Sequence, residues 1–226
     1  MNLFSQLVTE PTHEEIFPGA VLMRSLALEQ DRELFEAIES VATVAPFRAM
    51  ITPGGQKMSI LGTGCGKSHR VSSLPPIRFT EGAEAVPQDA VPMVEAPQVK
   101  PPMPVIFREF SIRAAALAGF PRFKPDAAHF NRYHAGTKLG LHQDRHECDL
   151  SQPIVSVSLG LSAVFLLGGF ERTNPIRRIL LEHGDVIVWG GPSRMRFHGV
   201  TPLKPGSHPL VGHYRYNITF RKIAPR

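Results

Sequence analysis

A chain of 226 residues can bury one substantial core, and 42% hydrophobic against 20% charged residues is an ordinary globular balance that excludes fibrous and disordered classes. No apolar run reaches the roughly 18 residues that would cross a bilayer, and Met1-Asn2-Leu3-Phe4-Ser5-Gln6 lacks the basic start and apolar core of a secretory signal, so a soluble, cytoplasmic protein is expected. An excess of 25 Lys and Arg over 20 Asp and Glu gives a net charge of +5, which suits a polyanionic partner, although many basic proteins carry such a charge only for solubility. The two cysteines, Cys65 and Cys148, have no Cys-x-x-Cys spacing and read as isolated reduced thiols.

In chain order, Leu34, Phe35, Ile38 and Val41 recur at helical spacing, so a helix is expected from about Asp31 to Ala45, stopped by Pro46. Thr63 to Pro104 is poor in periodic pattern and rich in Gly, Ser and Pro, which marks a functional lid or a disordered segment. A second helix is expected from about Val105 to Ala118, with Ile106, Phe110, Ala114 and Leu117 on one face and Gly119 and Pro121 as stop signals.

After about Phe123 short segments of period two alternate with Gly, Pro and Asn. Candidate strands are His129 to Tyr133, Leu139 to Asp144, Ile154 to Leu159, Val164 to Leu167, Arg178 to Glu182, Val186 to Trp189 and Tyr214 to Arg221, with His183-Gly184-Asp185 as a hairpin turn. The expected fold is α+β but mainly β: a jelly-roll barrel with helices of the N-terminal portion packed outside it.

Chemistry concentrates in four segments. On a strand through Leu139-Gly140-Leu141-His142-Gln143-Asp144, His142 and Asp144 share a face, as neighbouring ligands of one metal ion would. His198, after the Trp189-Gly190-Gly191 turn, is the best third ligand of a facial triad of the kind that leaves open positions on non-heme Fe(II). A lone His-x-Asp is also what a solvated strand end looks like. The C-terminal strand puts Arg215, Asn217, Thr219 and Arg221 on one face and only aromatic or aliphatic residues on the other. Two arginines facing a core demand compensation, and an enclosed carboxylate ligand supplies it; an edge strand in water is the competing reading. His129, Asn131 and Tyr133 form a third same-face set, offering an amide and a phenol to the same ligand.

Together these residues resemble the AlkB family of Fe(II)- and 2-oxoglutarate-dependent dioxygenases. The resemblance rests on Asn131-Arg132-Tyr133, Leu141-His142-Gln143-Asp144, Pro153 to Leu161, Leu181 to Val186, Val188 to Gly191, His198-Gly199 and Arg215 to Arg221, and continues upstream in Pro46 to Met50 and Thr52-Pro53-Gly54-Gly55. It implies a double-stranded β-helix barrel over residues 126–226, with residues 1–125 of the same domain supplying helices and a nucleotide-recognition lid that includes a Pro-rich loop at about 70–104. It also implies His142, Asp144 and His198 as ligands of Fe(II). Arg215, Tyr133 and Asn131 would hold the distal carboxylate of 2-oxoglutarate, with Asn217 and Arg221 near its chelating end. Arg221 counts with the triad as catalytic machinery, and O2 is the co-reactant. The reaction implied is oxidative demethylation of 1-methyladenine or 3-methylcytosine in DNA, with RNA as a second candidate polymer, by a monomeric enzyme that flips the base out or acts on single strands.

Thr52, Met58, Ser59, Arg70 and His146 fall where the family lines its nucleotide site, and there the chain departs from the pattern. Cys65 to Val71 contains no stacking Trp; His69 or Arg70 is the available replacement, and a surface His or Arg touching water or phosphate is the plainer reading. Gln56 replaces an aromatic after the double glycine, and His146 replaces an acid two residues beyond Asp144. Two other classes remain open on the residues alone: a 2-oxoglutarate-dependent hydroxylase acting on a protein or small molecule, and a non-catalytic damage-binding protein.

Overall fold

A computed structural model describes residues 12–51, 57–67, 100–145 and 147–224. Helix α1 spans Asp31–Val44 and buries Leu34, Ile38 and Val41. Its end is set by Pro46, which disfavours helical backbone at the residue before it; Ala45 turns to φ −127°, ψ 84°. Helix α2 spans Val105–Leu117 and ends where Gly119 takes φ +89°, with Phe120 N–H donating to the Ala115 carbonyl at 2.8 Å. Its buried face is Phe107, Phe110, Ser111, Ala114 and Ala115. The expected face therefore needs rotating: Ile106 lies at its margin and Leu117 is exposed.

Among the described residues, twelve strands and these two helices follow in chain order, and the strands form two antiparallel sheets: β1 (His13–Phe17), β2 (Ala20–Met23), α1, β3 (Arg48–Ile51), β4 (Lys57–Gly66), α2, β5 (Ala127–Tyr133), β6 (Leu139–His142), β7 (Ile154–Gly160), β8 (Ala163–Leu167), β9 (Arg177–Leu181), β10 (Val186–Trp189), β11 (His198–Val200) and β12 (Arg215–Arg221). The larger sheet has the order β1-β2-β10-β7-β12-β5-β4-β3 and the smaller β6-β11-β8-β9, a jelly-roll arrangement. Four of the eight strands in the larger sheet come from before residue 125, so that portion contributes barrel wall as well as helices.

Alternation along β12 divides the interior in two. Tyr216, Ile218 and Phe220 point out of the barrel and pack with Phe107, Phe110, Leu34 and Ile38 in a core between the helices and the sheet. A second core, with Leu22, Tyr133, Phe165, Leu181, Ile187 and Trp189, fills the space between the sheets. The remaining face of β12 looks into this second space, and β12 pairs with both β5 and β7, so the edge-strand reading is overturned.

Two further expectations change. β6 stops at His142, so Asp144 lies just beyond the strand. His183-Gly184-Asp185 is a corner instead of a hairpin, because β9 and β10 belong to different sheets. Asp185 organises that corner, accepting from the Ser25 and Glu182 amides at 3.0 and 2.9 Å and from Arg24 at 2.6 Å. Cys65 is buried and Cys148 exposed, both as free thiols; burial pushes the Cys65 thiol up to about 12. Among the described residues, no helix is long and apolar enough to cross a membrane.

Candidate active site

Antiparallel pairing sets His198 of β11 directly opposite His142 of β6, with ring centroids 4.3 Å apart. Asp144 reaches back between them: its Oδ1 lies 3.7 Å from His142 Nε2 and its Oδ2 3.5 Å from His198 Nε2. One ligand atom from each residue falls within 4.8 Å of the others, close enough for a single metal ion to bridge. The chain locks Asp144 in place through its neighbour, since Gln143 Nε2 donates to the Met195 carbonyl at 2.6 Å.

Tautomers follow from the outer contacts. A carbonyl can only accept, so the 2.9 Å contact of His142 Nδ1 with Gly140 O and the 3.2 Å contact of His198 Nδ1 with Arg196 O place the proton on Nδ1 of each ring. Both Nε2 lone pairs are thereby turned toward Asp144. Burial, reinforced by the neighbouring His198, holds the His142 pKa below its ordinary value and keeps the imidazole neutral. Burial alone would raise the Asp144 pKa, but the Arg221 guanidinium, 2.9 Å away, outweighs it with help from His198, and the carboxyl sits well below the usual range. An ionised carboxylate beside a neutral imidazole is what a metal ligand set requires.

Deeper in the barrel, Arg215 is 1% exposed and stacks over the Tyr133 ring at 5.2 Å. Its Nη2 donates to Ser158 Oγ at 2.9 Å, while Nε, Nη1 and the Tyr133 hydroxyl are buried without a protein partner. Unsatisfied buried donors on a guanidinium and on the tyrosine it stacks over fit an anionic ligand that the protein itself does not supply. Asn131 is on the same face, its Oδ1 3.1 Å from His129 Nε2. Asn217 donates to Ser156 Oγ at 2.7 Å and to the Val157 carbonyl at 3.1 Å, so its amide protons are committed to β7. Trp189, part of the inner core, packs against His198 with centroids 4.9 Å apart.

The residues expected at the nucleotide site divide. Met58 is half-buried against the inner core, and the exposed Ser59 uses its hydroxyl on the backbone of Lys138, donating at 3.1 Å and accepting at 3.2 Å. Thr52, Gln56, His69, Arg70 and His146 lie outside the described residues. Sequence reasoning missed Glu147 and Arg194, a buried ion pair with Glu147 Oε2 3.0 Å from Arg194 Nη2. Both sit in irregular segments between strands, where no alternation could flag them.

A barrel of this topology that holds both a His-Asp-His cluster and a buried arginine with two unpartnered nitrogens has the framework of a non-heme oxygenase with a carboxylate cosubstrate. The model of the 2OG-Fe(II) oxygenase superfamily matches residues 19–221. The chain is 46% identical to the alpha-ketoglutarate-dependent dioxygenase AlkB of Escherichia coli (strain K12), over 100% of this chain and 99% of that one. It is 46% identical to the enzyme of the same description from Salmonella typhimurium, covering 96% and 95%. The human nucleic acid dioxygenase ALKBH1 is 38% identical over 46% of this chain and 27% of its own. The solved structure of OsALKBH1 superposes with a TM-score of 0.73 at 26% identity, covering 93% of this chain and all of its own. This chain belongs to the AlkB family of Fe(II)- and 2-oxoglutarate-dependent dioxygenases. Its cofactors are Fe(II), 2-oxoglutarate and O2.

Proposed function

We propose that the enzyme repairs alkylated nucleic acid by oxidative demethylation of bases of the 1-methyladenine and 3-methylcytosine type in DNA, with RNA as a second polymer. We assign His142, Asp144 and His198 as the Fe(II) ligands, and Arg215 with Tyr133 and Asn131 as the clamp for the distal carboxylate of 2-oxoglutarate. The observation that carries the reading is the pair of unpartnered Arg215 donors and the Tyr133 hydroxyl, set in the same barrel as a His-Asp-His cluster.

When bound, Fe(II), 2-oxoglutarate and O2 supply an oxidant that hydroxylates the alkyl carbon, yielding succinate, CO2 and formaldehyde. The protein supplies geometry and charge. Gly140 and Arg196 carbonyls hold the two imidazoles in the ligating tautomer. Arg215 and Tyr133 orient the cosubstrate from its far end, a fork that a carboxylate matches with two hydrogen bonds. Arg221 keeps Asp144 ionised, and we assign it with Asn217 to the chelating end of the cosubstrate. Trp189 and Phe165 exclude water around His198.

A methylated base inside a duplex cannot enter such a barrel, so the base is flipped out or presented on a single strand. On this proposal Thr52, Met58, Ser59, Arg70 and His146 are the substrate-binding residues, 1–125 is the lid-bearing portion and 126–226 the catalytic core, and the enzyme acts as a cytoplasmic monomer. The +5 net charge and the likeness to a relative described as a nucleic acid dioxygenase support the polymer substrate. Formaldehyde release should be far greater from a methylated oligonucleotide than from free metabolites or methylated peptides. Equal or greater release from the small molecules or peptides would move the substrate outside nucleic acid.

A further inference from the structure

Three residues past Asp144, Glu147 is a second acid sunk in the wall of the site, its side chain 2% exposed. It touches two arginines with different oxygens: Oε2 lies 3.0 Å from Arg194 Nη2 and Oε1 3.1 Å from Arg221 Nη1. Each arginine also holds Asp144, by a different handle. Arg194 Nη1 donates to the Asp144 main-chain carbonyl at 2.6 Å, and Arg221 Nη2 lies 2.9 Å from the Asp144 carboxylate at Oδ2. Arg194 is in turn fixed by donation from Nε to the Gln152 carbonyl at 3.1 Å. Two guanidiniums and two carboxylates thus close a ring in which Glu147 never touches the triad yet shares both of Asp144's anchors.

The ring has an electrostatic consequence. Arg221 divides its charge between Glu147 and Asp144; without Glu147, both of its inward nitrogens would fall to Asp144 and compete with a cation for Oδ2. Arg194, 3% exposed, would lose its only carboxylate partner among the described residues and with it the grip on the Asp144 carbonyl. Outer contacts of this kind orient a ligand and tune its donor strength.

We propose that Glu147 is a positioning residue for the metal centre: through Arg194 and Arg221 it fixes the backbone and the carboxylate of Asp144 and keeps Arg221 from neutralising that carboxylate. The inference rests on the reading of His142, Asp144 and His198 as metal ligands.

The test is anaerobic titration of the full chain with Co(II), followed by its visible absorption well below each variant's melting temperature. Glu147→Gln should bind Co(II) about 10- to 100-fold more weakly than the parent. Because that variant strands a buried guanidinium and can fail to fold, the double change Glu147→Gln with Arg194→Met removes the stranded charge. It should melt closer to the parent while Co(II) binding stays weak, since Arg221 still has no second carboxylate with which to share its charge. Co(II) affinity within about twofold of the parent in either folded variant would overturn the proposal and leave Glu147 a support of the fold alone. His142→Ala separates the two failures: if it binds Co(II) as the parent does, the triad assignment itself falls.

Discussion

Arg215 spends one nitrogen on Ser158, and two others, like the Tyr133 hydroxyl, are buried with no protein acceptor. Charge-assisted hydrogen bonds contribute roughly 1.5–3 kcal/mol each, so losing two costs about 3–6 kcal/mol of cosubstrate binding. Arg215→Ala should therefore raise the 2-oxoglutarate requirement by two orders of magnitude or more, with oligonucleotide affinity nearly unchanged; steady-state kinetics against gel-shift binding separates the two. Arg215→Lys should recover only part, because an ammonium cannot reproduce the fork. At His129, burial first, then Arg221 and Lys100, press the pKa from 6.5 down to about 3. Below pH 6.5 the unfolded chain takes up a proton that the folded chain refuses, so stability falls with pH from 6.5 toward 3. Thermal unfolding of His129→Leu across that window should show a shallower loss than the parent; an equal slope would place the proton elsewhere.

At the level of elements, alternation and punctuation made much of the barrel readable. The seven strands expected after Phe123 all form, within a residue or two of their bounds, and both helices end where Pro46 and Gly119 stop them. What escaped had physical reasons. The last four residues of β4, Thr63–Gly66, fall in the stretch that reads as loop, yet a Cβ on Gly64 would lie 2.3 Å from the Ala128 carbonyl: glycine is there because β5 passes too close for a side chain. β1 has a mostly exposed face with no alternation to detect, and β11 is only three residues long. The His142-x-Asp144 pattern was legible because its spacing is local to one segment, whereas the Glu147–Arg194 pair joins residues 47 apart and neither residue stands in a local pattern. Gly160, at the end of β7, takes φ +91°, and a Cβ there would meet Val211 Cγ2 at 2.3 Å and the Tyr214 carbonyl at 2.6 Å, just before β12 begins. Gly160→Ala should cost well over about 1 kcal/mol, read as a lower denaturant midpoint.

For the molecule as a whole, two cores on opposite faces of one sheet separate stability from chemistry. Phe107 packs edge-on to Phe130 at 5.3 Å and near Phe220 at 5.7 Å, on the helix side of the sheet. Phe107→Ala should lose about 3–5 kcal/mol of stability while the activity per folded molecule at low temperature stays close to the parent. The positive net charge makes a different prediction: salt should raise the KM for oligonucleotide steeply and that for 2-oxoglutarate far less, since counterion release belongs to the polymer alone. The most direct measurement is aerobic incubation of the Fe(II)-loaded enzyme with 2-oxoglutarate and single strands carrying 1-methyladenine or 3-methylcytosine, with base mass and succinate followed together. The proposed function predicts loss of one methyl group per succinate formed, abolished in His142→Ala with the fold retained. Succinate formed without any change in base mass, or full demethylation by His142→Ala, would contradict it.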